Sequence, residues 1–314
     1  MAKSSKVRTP LSVLAEDPQG RSLGLELPPG AVIDRPGRRG WGMGRRVEPL
    51  LWVSDEAVGV GALAAHRSPA LAAAGLQAVL FQGRRGLERW WQEREFSPER
   101  MSDPDDHHVE PVLREFWSRV VPDPEEGEGE DGEQLIAPFG RDWPGLAEDG
   151  PEGSVGSDGS VGSDGSDGSV GSDGSVGSVG SDDPDALACE LADALIASGF
   201  LPSPRLALVP AGRGADVPTA VGWCGPTNFE NDTALISTVL RSWEDRFGAR
   251  LVALGFDELH VSVAAPPRTT AHALPVAAEH FAFSPDNIWQ GSGSIRAYAD
   301  EAVTGSNHWG FWWD

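Results

Sequence analysis

The strongest candidate for catalysis in this sequence is a short polar cluster near its C-terminal end. In "AAEHFAFSPDN" (277–287), Glu279 and His280 are neighbours, and Asp286 follows in a Ser-Pro-Asp turn. A carboxylate beside an imidazole can serve as a general base, and the three residues can also supply two metal ligands. A structural role explains the same residues, because aspartate commonly binds the backbone of such turns. Glu279, His280 and Asp286 are therefore catalytic candidates with an open structural alternative.

Two weaker patterns suggest metal or dinucleotide binding. The run "DDHH" (105–108) holds metal-binding residue types, but adjacent residues at the start of a helix point in different directions. The segment "GVGALA" (59–64) fits the Gly-x-Gly-x-x-Ala pattern of dinucleotide sites, yet Gln82 and Arg84 stand where an acidic residue should follow the second strand. We therefore predict no metal site and no cofactor.

The composition narrows the possible functions. Lys3 and Lys6 are the only lysines, so the chain has no Gly-x-x-x-x-Gly-Lys phosphate loop. A net charge of -23 argues against nucleic-acid binding, which needs clustered Lys and Arg. Two cysteines cannot build a disulfide framework, and no apolar run is long enough to span a bilayer. These features predict a cytoplasmic protein that has neither a nucleic acid nor a membrane as its partner.

A low-complexity tract divides the chain. Residues 153–182 are Gly-Ser-Val and Gly-Ser-Asp triplets, a composition with high chain entropy and almost no apolar surface to bury. We predict a disordered acidic linker over 149–184. The linker separates an N-terminal βαβ-like region (47–148) from a C-terminal α+β domain (185–314, core 205–314), and a flexible basic arm (1–46) precedes both.

The N-terminal region reads as alternating strands and helices. "EPLLWVSDE" (48–56) predicts a buried strand, 62–75 a helix interrupted at Pro69, and "LQAVLFQ" (76–82) a second strand. Apolar residues at helical spacing predict an amphipathic helix over 103–121.

The C-terminal domain shows clearer start and stop signals, such as acids and Pro184 at the start of a helix that ends at Gly199. The predicted helices cover 182–199, 231–248, 269–283 and 294–305, and the predicted strand pairs cover 205–223 and 250–264. The fold class is thus α+β: a mixed β-sheet with flanking helices, preceded by the βαβ-like region and the linker.

The closing heptad "HWGFWWD" (308–314) predicts a terminal strand. Alternation places Trp309, Phe311 and Trp313 on one face and Trp312 on the other. Since both faces are apolar, we expect the strand to occupy an interior or well-covered position in the sheet.

Several C-terminal motifs carry a family resemblance. "GWCGPTN" (222–228), "LRSWEDRFGARLV" (240–252), "AAEHFAFSPDNIWQG" (277–291) and "FWWD" (311–314) resemble, in this order, a bacterial family of actinobacterial type with a C-terminal domain of unknown function, number 4253. The resemblance covers roughly 205–314 and implies no established activity. It marks Trp223, Asn228, Trp243, Glu279, His280, Asp286, Gln290 and Trp313.

One position departs from that family. Ser284 stands where members usually carry cysteine, which implies that thiol chemistry or metal binding at this position is absent here.

Two classes of function stay open. Tryptophan and arginine are abundant, and both favour interfaces, so the first is a non-enzymatic protein-binding module of immunity or regulatory type whose partner is another protein. Its candidate binding surface comprises Trp223, Asn228, Gln290 and Trp312. The alternative is a hydrolase-like enzyme centred on Glu279, His280 and Asp286.

Overall fold

A single mixed β-sheet organises the protein. The computed structural model describes residues 9–35, 49–83, 86–93, 95–122, 129–150 and 183–314. Within these ranges the strands are β1 (Gly30–Asp34), β2 (Pro49–Ser54), β3 (Leu76–Phe81), β4 (Arg205–Pro210), β5 (Arg250–Leu254), β6 (Glu258–Ser262) and β7 (His308–Trp312). Their order in the sheet is β1-β2-β4-β3-β5-β6-β7. The β3–β5 pair is parallel and the other neighbours are antiparallel, so β2, β3, β5 and β7 run in one direction.

Helices cover both faces of the sheet. Those in the described ranges are α1 (Pro10–Glu16), α2 (Ala62–His66), α3 (Pro69–Ala73), α4 (Arg89–Gln92), α5 (Val109–Val120), α6 (Gly129–Ile136), α7 (Pro184–Ala197), α8 (Val217–Val221), α9 (Thr233–Phe247), α10 (Thr270–Phe283) and α11 (Ile295–Tyr298). One apolar core lies under α1, α2, α3 and α7, and the larger one lies under α5, α8, α9 and α10. Over the described part of the chain, each helix is too short or too polar to cross a membrane.

The interior strand β4 contributes side chains to both apolar cores. Leu206 and Leu208 belong to the smaller core, while Ala207 and Val209 belong to the larger one. All four are fully buried, because successive side chains of a strand point to opposite faces and both faces are covered. The predicted α+β class with a mixed sheet and flanking helices is confirmed.

The position of β4 joins the two sides of the linker. It follows the linker in sequence, yet it lies between β2 and β3 and pairs with β3 along its whole length, from Arg205 to Pro210. The predicted regions 47–148 and 185–314 therefore contribute strands to one sheet and do not form two separate ones. Whether 185–314 folds alone stays a prediction. The predicted linker lies outside the described residues over 151–182.

The predicted flexible arm (1–46) needs correction over residues 9–35. Thr9 caps α1, Leu11 and Leu14 of that helix are buried, and β1 pairs with β2 from Gly30 onward. The apolar residues of α1 fill the smaller core, which is why this segment is ordered despite its weak strand signals. Residues 1–8 and 36–46 of the arm lie outside the described residues.

Most local predictions in the rest of the chain agree with the structure. The helix interrupted at Pro69 appears as α2 and α3, and α9 begins at its Asp232 cap and ends at Gly248, whose φ is +60°. The second strand predicted within 205–223 is wrong. Val217–Val221 form the short helix α8 instead. Pro218 fits the first turn of this helix, and Gly222 takes the left-handed conformation that ends it.

The closing residues form β7 at one edge of the sheet. Trp309, Phe311 and Trp313 point into the larger core and are almost completely buried, as the alternation predicts, while Trp312 on the other face is half-buried. Of the two expected positions, interior or well covered, β7 has the second: it lies at the edge of the sheet, and that edge is covered. Asn287 donates from Nδ2 to the Gly310 carbonyl at 2.6 Å and accepts the Trp312 amide at 3.2 Å, so it occupies the groups that a further strand would use.

Candidate functional site

A cleft opens at the end of the sheet where the parallel strands β3, β5 and β7 finish. Its main compartment has a volume of about 650 Å³, and a second compartment of about 270 Å³ shares Glu95, Phe256 and Asp257 with it. The residues just after β5 and β7 line the main compartment, and Gly83, just after β3, lines the second. Ligands of open sheets usually bind beyond the carboxyl ends of such strands, and the volume is typical of ligand sites.

Two tryptophans form a fixed apolar wall in the cleft. The rings of Trp223 and Trp313 meet edge to face at 5.7 Å, and both residues are almost completely buried. The indole N–H of Trp223 donates to the Gly255 carbonyl at 3.0 Å. Gly225 lies so close to the Trp223 ring that an added Cβ would approach it to 1.9 Å. These contacts hold the wall in one conformation.

The rim of the cleft is more exposed. Phe256, in the turn between β5 and β6, is 43% exposed although it is a large apolar residue. The guanidinium of Arg89 already lies 5.9 Å from the centre of its ring. Thr227 and Asn228, which follow the Trp223 segment, are exposed on the opposite lip.

The described lining is acidic. Its charged side chains are five carboxylates and two guanidiniums: Glu95, Glu230, Asp232, Asp257 and Asp314 against Arg89 and Arg100. Two of the carboxylates have structural roles. Glu230 accepts two hydrogen bonds from Arg119 at 3.0 Å, and Asp232 caps the N-terminus of α9 through the Ala234 amide.

Glu95 and Asp257 are only partly satisfied. Glu95 accepts one hydrogen bond from Arg89 on Oε1 at 2.9 Å, and its other oxygen, Oε2, is buried without a partner in the described part of the chain. The Oδ1 atom of Asp257 is also buried without a partner in the described part of the chain. A buried carboxylate oxygen without a donor is costly, so the described protein leaves both carboxylates incompletely satisfied.

The thiol in the cleft is not prepared for nucleophilic attack. Burial, followed by the nearby charge of Glu95, raises the pKa of Cys224 to about 11, so the reactive thiolate is scarce near neutral pH. The described lining includes neither histidine nor lysine. What it offers is a set of hydrogen-bond acceptors on apolar walls, an arrangement suited to holding a ligand.

Glu279, the first catalytic candidate, lies deep in the larger core. Its carboxylate accepts hydrogen bonds from the Ala147 amide at 2.7 Å, from the Trp243 indole at 2.7 Å, and from both terminal nitrogens of Arg246 at 2.9 and 2.6 Å. Arg246 also donates to the Ala147 carbonyl at 3.0 Å. Four donors saturate a carboxylate, so this network fastens residue 147 to α9 and α10.

His280, the second candidate, is enclosed by aromatic rings on another side of α10. Trp309, Trp243 and Phe311 have ring centres within 4.5–4.9 Å of its imidazole, and Nδ1 lies 3.2 Å from the Tyr298 hydroxyl. Burial, with a smaller effect of the Arg246 charge, lowers the pKa of His280 well below its ordinary value. The imidazole is neutral and faces no cleft in the described structure.

Residues 205–314 match the family described as Domain of unknown function (DUF4253). No curated protein and no solved structure matches the chain. The match supports the family resemblance predicted for these residues. The matched residues begin at β4, and they supply Trp223, Phe256 and Trp313 of the cleft. Glu95 and its neighbours in the lining come from outside the matched residues.

Asp286 and Ser284 organise the segment after α10 in the DUF4253 domain. Asp286 accepts from Gln290 at 3.1 Å and from the Asp314 amide at 3.0 Å. The hydroxyl of Ser284 lies 2.7 Å from the Trp312 carbonyl and 3.0 Å from Asn287 Oδ1. Both residues thus tie the end of α10 to β7, and the fully buried Ser284 strengthens the cover of that strand edge.

The structure separates the residues predicted as site candidates. Glu279, His280 and Asp286 lie in three different environments, and no group of three or more His, Cys, Asp or Glu in the described ranges is placed to hold a metal ion. Of the predicted binding residues, Trp223 and Asn228 meet at the cleft. Gln290 contacts Asp286, and Trp312 lies on the other face of β7.

Sequence reasoning missed Glu95, Phe256 and Asp257. The Phe-Asp-Glu turn between β5 and β6 was recognisable as a turn, and a large aromatic residue in a turn is a usable signal of a recognition surface. Glu95 carries no such signal, because it lines the same cleft as Asp257 only in the folded sheet, where β3 pairs with β5.

Proposed function

We propose that this protein is a non-enzymatic, cytoplasmic protein-binding module of immunity or regulatory type, and that the cleft at the ends of β3, β5 and β7 is its binding site. A bacterial, actinobacterial-type origin belongs to the same proposal. The observation that carries it is the cleft itself, because a fixed tryptophan wall and partly satisfied carboxylates line a volume of about 650 Å³. Preorganised walls reduce the entropy lost when a ligand binds.

The same geometry favours binding over hydrolysis. Hydrolysis by nucleophilic attack requires a nucleophile and a base in contact at an accessible place. In the described cleft the one thiol has a raised pKa, and the candidates Glu279 and His280 lie in the core with their carboxylate and ring enclosed. The hydrolase-like alternative therefore gains no support from the placement of its residues.

Filling the cleft tests the proposal. We expect Asn228→Trp to place a bulky side chain over the opening without touching the core, since Asn228 is exposed on the rim. Affinity capture from the native host should then lose a partner protein that the unmodified chain retains. A suitable control is Ala194→Trp, an equally bulky change at an exposed position of α7 on the opposite face of the sheet.

The outcomes separate three cases. Loss of a captured partner with Asn228→Trp alone supports the cleft as the binding site. Unchanged capture by both variants contradicts it. If Trp312→Ala removes the partner while Asn228→Trp does not, the binding surface lies on the outer face of β7.

A further inference from the structure

We infer that the cleft binds an arginine side chain of a partner polypeptide, with its guanidinium paired to Glu95 and Asp257 and stacked on Phe256. This inference rests on the proposed function and names the chemistry that the partner presents. It draws on three independent features of the described residues: unpaired carboxylate oxygens, an exposed aromatic ring and the acidic balance of the lining.

The two carboxylates that line both compartments mark the part of the cleft where the ligand donors must lie. Glu95 and Asp257 are the acidic residues that line both compartments, and each has one buried oxygen without a donor in the described structure. A group that bonds to both residues has to present several N–H donors from one rigid unit. Guanidinium carries five such donors in a planar fork, whereas an ammonium group is a compact point charge.

Phe256 supplies the second element of guanidinium recognition. Phe256 lines both compartments together with Glu95 and Asp257, and it keeps 43% of its surface exposed. Arg89 already lies over this ring at 5.9 Å and donates to Glu95 at 2.9 Å, so the protein shows a guanidinium using the same ring and carboxylate. A ligand arginine would repeat that arrangement with Phe256 and the two carboxylates that line both compartments. Arginine stacks well on aromatic rings, which favours it over lysine.

The charge of the surroundings points to the same ligand. The described lining has five carboxylates and two guanidiniums, and the whole chain has a net charge of -23. A cleft whose lining carries an excess of negative charge raises the local concentration of positively charged ligands. The tryptophan wall beside Asp257 is apolar, so an ion pair formed there is less screened by water than one on an open surface.

Peptide binding followed by NMR tests the inference on the full chain labelled with 15N. The probes are acetyl-Ala-Arg-Ala-amide and two peptides in which citrulline or lysine replaces the arginine. Citrulline has nearly the shape of arginine but no charge. We expect the arginine peptide to shift the indole signal of Trp223 and the amide of Gly255. The citrulline peptide should bind roughly tenfold or more weakly, because charge-assisted hydrogen bonds are lost.

Variants locate the bound guanidinium. Glu95→Gln and Asp257→Asn should each weaken binding of the arginine peptide by roughly tenfold or more. Arg89 keeps its ion pair with Glu93 at 3.3 Å in the first variant, and unchanged melting temperatures would show that both variants fold. The matched control is Glu190→Gln, which removes an exposed acid of α7 outside the cleft and should leave binding unchanged.

Each result decides the inference. Equal binding of the arginine and citrulline peptides, equal binding of the arginine and lysine peptides, or unaltered binding by both cleft variants would overturn it. If Asn228→Trp abolishes partner capture while none of the peptides shifts the cleft signals, the proposed function stands and the arginine chemistry is wrong. Selective binding of the arginine peptide that is lost in both cleft variants supports it.

Discussion

Two regions of this protein bury carboxylate oxygens, and they satisfy those oxygens to different extents. In the core between α9 and α10, Glu279 accepts four hydrogen bonds, from Ala147, Trp243 and both terminal nitrogens of Arg246. In the cleft, Glu95 and Asp257 each keep one buried oxygen without a donor in the described residues.

The difference separates a structural carboxylate from one prepared for a ligand. Glu279 is the more conspicuous residue in the sequence because it neighbours a histidine, yet its partners come entirely from the protein. The cleft residues attract less notice in the sequence, but they face an open volume. An unpaired atom alone does not mark a site, since Nε2 of the enclosed His280 also lacks a partner. Glu95 and Asp257 differ from His280 because their incompletely satisfied carboxylates belong to residues that line a cleft.

The largest expected effect on stability comes from breaking the hydrogen-bond network around Glu279. Glu279→Gln removes the charge that compensates the buried Arg246 guanidinium, so the free energy of unfolding should fall by about 3–5 kcal/mol. Urea denaturation measures the loss. The double variant Glu279→Met with Arg246→Met should be more stable than Glu279→Gln, because it leaves no unpaired charge. A single variant as stable as the unmodified protein would show that Glu279 is not structural.

A tryptophan shared by core and cleft should affect both regions. Trp313 is 2% exposed, contacts Phe283 and lines the cleft, so Trp313→Ala should cost about 3–5 kcal/mol of stability, the range for emptying an aromatic core site. Trp312→Ala is the matched control, because this neighbour is half-buried on the other face and should cost less. Equal denaturation midpoints for the two variants would contradict the account of β7.

Acid should weaken the fold through a third enclosed group, His260 of β6. Burial, together with the neighbouring His308, lowers its pKa to about 4. Since the unfolded chain binds this proton near the ordinary value of 6.5, stability is lost as pH falls from there towards 4. From about pH 7 to about pH 5 the loss attributable to His260 is about 2 kcal/mol. His260→Gln should reduce this pH dependence, and His108→Gln, at an exposed position, should not.

The smallest effect on stability is expected at Glu95, whose carboxylate is incompletely satisfied. Glu95→Gln should change the free energy of unfolding by only about 0.5 kcal/mol or less, because one of its oxygens lacks a partner and Arg89 retains Glu93. Thermal unfolding beside Glu279→Gln gives the direct comparison. A loss as large as that of Glu279→Gln would mean that both carboxylates are structural and would remove the contrast on which the cleft assignment depends.

The sequence predicted those helices and strands whose start, stop and apolar residues all lie within one short segment. The helix α9 has its Asp232 cap, its apolar stripe and its terminal Gly248 within one continuous segment, so capping and periodicity were enough. The segment of α8 was misread because Val217 and Val221 favour strands, whereas its Pro218 and Gly222 define a single short helical turn.

The arrangement of the strands and the site depended on long-range pairing. No local pattern places β4 between β2 and β3, because its two apolar faces suit any covered position in a sheet. The cleft follows from that arrangement, and its lining comes from segments as distant as Glu95 and Asp314. Trp223 and Asn228 were found because a family motif marked them, while Glu95 and Asp257 became recognisable only from their positions in space.

The insertion of β4 also has a consequence for how the chain is made. A ribosome makes β2 and β3 before β4, so the strand edges that pair with β4 in the finished sheet lack that partner until β4 has been made, and exposed edges promote aggregation. Those edges gain their partner only after the Gly-Ser tract has left the ribosome. The same geometry suits the protein to fragment complementation. Two separately made pieces, ending at residue 150 and starting at residue 183, should assemble through β4 into one sheet.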